Sequence, residues 1–254
     1  MKKLFTWHFT NETMLALIVG GVMILLSLAM IPFDGERFFD QLMHFLLRDV
    51  LMILGLGICF VTTYCTKHHT WRELGMTKEK LRSSLVWNVV LGGALLAMFL
   101  SEGVPQGFFK VENLYAATYI LVAGIFEMLF IYGFLRMAFQ KAFGVIPAIL
   151  LTAAFYSFHH AGFQPEFLHL FFVGIMYVSV FYITKSLWVI FPFFWGVGAL
   201  WDVLVDSTAG EAIKNSESFW IAIAILVGGV IWWKILNRRY KKDDKYKDIK
   251  EVSA

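Results

Sequence analysis

The chain has 254 residues, of which 59% are hydrophobic and only 16% charged, with a formal net charge of +3. A soluble domain of this size carries roughly a quarter charged residues and about half apolar ones, so a soluble globular class is excluded. Apolar runs of about 20 residues, the length that a hydrocarbon core about 30 Å thick demands of a helix, recur along the chain and define an all-α, multi-pass membrane protein.

The opening segment, MKKLFTWHFTNET, has the basic character of a secretion signal. The apolar run behind it is long enough to span, and no small-x-small cleavage site follows, so it reads as a retained first span. Eight runs follow in order, at 13–33, 47–66, 84–101, 117–139, 144–162, 167–184, 186–205 and 218–237. The seventh is the least regular, because it carries Pro192, Gly196 and Gly198, residues that kink or weaken a helix. Gly55 with Gly57, and Gly92 with Gly93, read as close-packing positions. The expected organisation is one eight-span domain over 1–237 and a charged tail over 238–254.

Cys59 and Cys65 fall in one apolar run. Six residues of helix separate them by about 9 Å of rise, too far for a disulfide, and they read as small apolar side chains.

Lysine and arginine placement sets the expected orientation. Lys2 and Lys3 precede the first span, and Lys67, Arg72, Lys78, Lys80 and Arg82 fill the loop after the second. Arg136 and Lys141 mark the fourth-to-fifth turn, Lys185 the sixth-to-seventh, and Arg238, Arg239, Lys241 and Lys242 the tail. Alternate loops offer fewer cations, mixed with acids such as Asp34, Glu36, Glu102, Glu112, Asp206, Glu211 and Glu217. The bias predicts an even span count with both termini cytoplasmic. The mixed-sign tail reads as a solvated helix end beside lipid headgroups, not as a nucleic-acid patch. The expected surroundings are the lipid bilayer of the cell membrane, without nucleic-acid partners.

Ionisable side chains inside spans are costly and mark function by default. Glu127 stands first, near the middle of span four with no charge for eight residues on either side. A carboxylate there needs a cation or a hydrogen-bond donor to offset its desolvation. His159 and His160 follow at the outer end of span five. Adjacent helical residues point about 100° apart, so at most one of the two is expected to share a face with Glu127. Asp202, near the outer end of span seven, is the third candidate. Glu127 lies about 18 Å of helix from the cytoplasmic turn, and His160 and Asp202 lie roughly 24 Å from theirs. The three heights permit convergence. His44 and Asp49 read as loop-edge residues, His68 and His69 as surface residues of the basic loop, and His169 as a weak supporting partner.

These motifs resemble the CPBP family of CAAX-protease and bacteriocin-processing intramembrane proteases, also called the Abi family, whose eight-span fold covers a chain of this kind. In EMLFIYG, Glu127 and Gly133 match a motif of two glutamates, three residues, arginine and glycine, while Met128 and Tyr132 replace its second glutamate and its arginine. Phe155 with His159, and Tyr156 with His160, both satisfy an aromatic-x-x-x-His motif. His160 is favoured, because Ala161, Gly162 and Phe163 follow it as in family members. In SLWVIFPFFWGVGALWD, Asp202 stands at the asparagine of a His-x-x-x-Asn motif and Gly198 at its histidine.

The resemblance implies an endopeptidase that cleaves a membrane-proximal peptide or protein with a glutamate-activated water, in the plasma membrane of a bacterium. It assigns Glu127, His160 and Asp202, with His159 as the neighbouring alternative, to catalysis. Cofactors stay open: a divalent metal is compatible with the family, but the missing histidine at Gly198 favours a metal-independent glutamic mechanism. The alternative is a weakened or inactive member acting as a membrane scaffold, regulator or bacteriocin immunity protein. An Asp replaces Asn as a hydrogen-bond donor only when protonated, which favours that alternative. A proton-coupled transporter is a weaker reading, since it predicts paired broken helices and only span seven looks broken.

Overall fold

The structure, a computed structural model, describes residues 3–33, 35, 37–103, 110–160, 165–205 and 213–252; the side chains of residues 202, 204, 205 and 240–252 lie outside that description. Every regular element among them is helical. We label the helices α1 (Asn11–Phe33), α2 (Phe38–His68), α3 (Leu81–Glu102), α4 (Val111–Phe143), α5 (Val145–Phe158), α6 (Phe167–Thr184), α7 (Phe193–Val205) and α8 (Ser216–Val252). Each of the eight apolar runs thus becomes one helix. Six stretches are long and apolar enough to cross a membrane, namely α1 to α4, α6 and the Ser216–Arg239 part of α8. Helices α5 and α7, at 14 and 13 residues, fall short of the roughly 20 that a full crossing takes.

Five segments with basic residues meet at one end of the bundle. The N-terminal strap pairs with the α4–α5 turn, where the Thr6 N–H donates to Phe143 O and the His8 N–H to Ala142 O at 3.0 and 2.8 Å. Lys141 and His69, from that turn and the loop after α2, both reach Glu12. Lys80 donates to Thr184 O, tying the same loop to the α6–α7 turn. Trp233 of α8 packs edge-on against Trp71.

Helix α4 is the centre. In its apolar stretch 61% of residues are buried, against 17–39% in the other long helices. It packs against α2, α5, α7 and α8, while α3 packs on α7 and α6 on α5. Two of the four glycines expected at close contacts are found there: a Cβ on Gly57 would lie 2.8 Å from Phe126 Cβ, and one on Gly92 would lie 3.1 Å from Phe194 Cα. Gly93 has open space, and Gly55 faces only the Val50 carbonyl of its own helix.

Three expectations are corrected. Arg136 is no loop cation: it is buried within α4, where its guanidinium donates to the Tyr132, Gly133, Glu73 and Leu74 carbonyls and lies over the Phe181 ring. His69 is no surface residue: its side chain is 8% exposed, 2.6 Å from Glu12 and 3.3 Å from Glu73. Asp49 is no loop-edge residue, because α2 begins at Phe38, nine residues before the expected span. It is buried, accepts from the Tyr119 hydroxyl, and pairs with Arg48 at 3.3 Å. All three are stabilised by partners far off in sequence, and charge alone could not distinguish them from solvated residues.

Candidate active site

Glu127 opens a stretch of π-helix, Glu127–Leu135, inside α4. Such wide turns are rare and recur at functional sites. Its carboxylate is buried, and the indole N–H of Trp195 donates to Oε2 at 2.9 Å. Trp195 lies in the first turn of α7, after a break that comprises the 3-10 turn Leu187–Val189 and Pro192. The indole occupies space that a side chain on Gly124 would fill. The irregularity read in the seventh run is thus what aims the indole at the carboxylate.

The histidines reach Glu127 from the end of α5. The helix closes at Phe158, and the chain then tightens, with the His160 N–H donating to Ser157 O at 3.2 Å. A regular helix would hold the two rings about 100° apart; here their centroids are 3.8 Å apart. Donor atoms of Glu127, His159 and His160 all lie within 4.8 Å of one another, so the expectation that only one histidine could face Glu127 is overturned. The reason is local, since both residues stand beyond the last helical turn.

The orientation of the two rings fixes their protons. His159 Nδ1 is 2.5 Å and His160 Nδ1 2.9 Å from the Tyr156 carbonyl oxygen. A carbonyl oxygen only accepts, so both Nδ1 atoms carry hydrogen, and His159 Nε2 faces the carboxylate at 3.5 Å from Glu127 Oε1. Ser27 of α1 holds the turn by donating to the His159 carbonyl at 2.5 Å. The centre therefore offers one carboxylate oxygen and two imidazole nitrogens, a set that could hold a metal ion.

Asp202 lies in α7, about two turns beyond Trp195, and its side chain is outside the described residues. His169 is exposed on the first turn of α6. Tyr132, where the resemblance calls for arginine, is fully buried, and its ring packs against Tyr156 and Tyr177 at 5.5 and 6.0 Å. A Cβ on Gly198 would lie 2.7 Å from the Tyr177 hydroxyl, so Tyr177 fills the space beside the position where the resemblance calls for histidine. Sequence reasoning missed Trp195 and Ser27. Trp195 is one of nine tryptophans, and only its partner in three dimensions distinguishes it.

Fold and site together define a multi-pass helical membrane protein with a buried glutamate–histidine centre. Residues 110–204, which run from the start of α4 to the end of α7 and carry every site residue except Ser27, match the family model described as type II CAAX prenyl endopeptidase Rce1-like. The match is consistent with the CAAX-protease family to which the motifs pointed. No curated protein and no solved structure gives a match.

Proposed function

We propose that the chain is an intramembrane endopeptidase that hydrolyses a peptide bond of a membrane-proximal peptide or protein segment. The observation that carries this reading is the convergence of Glu127, His159 and His160 inside the bundle, with Glu127 oriented by Trp195. In this reading a water sits between Glu127 Oε1 and the two Nε2 atoms. Glu127 takes its proton as general base, and the oxygen adds to the scissile carbonyl carbon. The proton is then returned to the leaving amine as the carbon–nitrogen bond breaks. A positive charge on the imidazole side, or a donor on α7 such as protonated Asp202, offsets the oxyanion. Both termini face the cytoplasm and eight helices cross or enter the bilayer of the cell membrane, as the charge bias supports.

The test is cleavage of a peptide library by the purified protein, repeated with Glu127→Gln and His160→Ala. Cleavage abolished by both substitutions supports the reading; a wild-type protein that cleaves nothing but retains a peptide or protein partner sinks it. That second outcome belongs to an inactive relative acting as scaffold, regulator or immunity factor. The observation favouring it is the Tyr177 hydroxyl packed beside Gly198, where the resemblance calls for histidine.

A further inference from the structure

We infer that a groove between α2 and α8, at the basic end of the bundle, is a binding site for one anionic phospholipid of the adjoining leaflet. The inference stands apart from the hydrolytic reading and uses none of its residues.

The groove follows from the register of α2. Cys59 with Phe60, Thr63 with Tyr64, and Lys67 with His68 line it, and their recurrence every fourth residue stacks them on one face of the helix. Trp232 of α8 forms the opposite wall. Its indole N–H donates to Thr63 Oγ1 at 3.2 Å, and that hydroxyl donates in turn to the Cys59 carbonyl at 2.6 Å. The indole is thereby pinned to α2, and a space of about 380 Å³ stays open beside it. Small-ligand sites run from about 300 to 1,000 Å³.

Polarity is graded along the groove in the order a lipid needs. The floor is apolar and firmly packed: the Phe60 ring meets Phe134 edge-on at 5.3 Å and stacks on Tyr64 at 5.7 Å. Lys67 and His68 stand exposed at the mouth, about 10 Å of helix rise from Phe60. The lysine offers an ammonium with three donors and the histidine a ring N–H.

The charge at the mouth is positive and unspent. Arg37, Arg48, Arg72 and Lys141 each meet a carboxylate. No acid lines the groove, and Lys67 forms no ion pair among the described residues. Depth agrees with the grading. The Trp71–Trp233 pair, with ring centroids 5.6 Å apart, lies just past Lys67 and Trp232 in sequence, and tryptophans gather at the headgroup level. A soluble anion would use the mouth alone, and a neutral lipid mainly the floor. A phosphodiester of net negative charge with acyl chains uses both.

The test uses the full-length protein, delipidated in neutral detergent and titrated with dioleoyl phosphatidylglycerol or dioleoyl phosphatidylcholine, with bound lipid counted by native mass spectrometry. Expected is one tightly held phosphatidylglycerol per chain, preferred over phosphatidylcholine by about fivefold or more. Lys67→Ala should weaken phosphatidylglycerol about fivefold and Lys67→Glu more than about tenfold, with Lys67→Arg within about twofold of wild type. Cys59→Trp, which fills the floor, should expel the lipid, and Lys110→Glu, outside the groove, should leave its affinity unchanged. Circular dichroism and thermal unfolding establish that each variant is folded; the exposed Lys67 variants carry the test if Cys59→Trp is not. Equal affinity for the two lipids, or full phosphatidylglycerol affinity in folded Lys67→Glu, overturns the site. Release of the lipid by millimolar inorganic phosphate overturns it in favour of a free anion. A dimer that Lys67→Glu dissociates overturns it in favour of a second copy of the chain.

Discussion

Trp195 donates its indole N–H to Glu127 across 68 residues of sequence, joining the broken start of α7 to the wide-turned segment of α4. The bond leaves Glu127 with one oxygen held and one facing the histidines. Trp195→Phe keeps the ring volume near Gly124 but removes the donor, leaving a buried carboxylate oxygen unsatisfied. A hydrogen bond to a charged group contributes about 1.5–3 kcal/mol. We expect cleavage to fall by about ten- to a hundredfold with a lowered thermal midpoint, measured by peptide turnover and by unfolding in detergent.

The His159–His160 turn depends on α1 through the bond from Ser27 to the His159 carbonyl. Ser27→Ala leaves that carbonyl without its donor at a buried site, a loss of about 1–3 kcal/mol. Protease sensitivity of the residues after Phe158 should rise with the drop in thermal midpoint. Unchanged sensitivity would show that the turn holds itself.

Restoring histidine at Gly198 is not a simple gain of function. A Cβ there meets the Tyr177 hydroxyl at 2.7 Å, and overpacking typically costs about 1–3 kcal/mol. Gly198→His alone should destabilise the protein, and adding Tyr177→Phe should recover part of the loss by withdrawing the hydroxyl. A double-mutant cycle of unfolding midpoints reads the coupling.

Gly57 and Gly93 make a matched pair for testing helix packing. Gly57→Ala puts a methyl 2.8 Å from Phe126 Cβ and should destabilise by about 1–3 kcal/mol. Gly93→Ala enters open space and should leave the midpoint within about 0.5 kcal/mol of wild type.

The basic end carries a pH dependence. The Thr70 backbone N–H holds the Glu73 carboxylate below its ordinary range, with Lys141 and His69 adding to the effect against some desolvation. A carboxylate lowered in the folded state contributes stability that is present above its unfolded value, about 4.3, and lost as pH falls through the folded one. Midpoints measured from neutral pH down to the acid range should decline over that window. The decline should be shallower in Glu73→Gln, and modest in size because the side chain is 44% exposed.

The all-helical, multi-pass character of the chain was legible in the sequence, because apolar length is a one-dimensional quantity. Glu127 was legible for the same reason: a lone acid in an apolar run is costly wherever the run folds. The two short helices were not, since residues 144–162 and 186–205 are as apolar as any span and their ends are set by turns and a proline-bearing break.

What the sequence by itself determined, then, is that this chain is a multi-pass helical membrane protein with a lone carboxylate inside one apolar run and two histidines at the end of the next. Only the tertiary structure decided which atoms meet. It set both histidines against Glu127 because α5 stops one residue before them. It chose Trp195 from nine tryptophans, and it buried Arg136, His69 and Asp49 with partners no local pattern announces. The physical reason is the same throughout: helix periodicity fixes a residue's face and height, whereas helix ends, wide turns and long-range hydrogen bonds fix its neighbours.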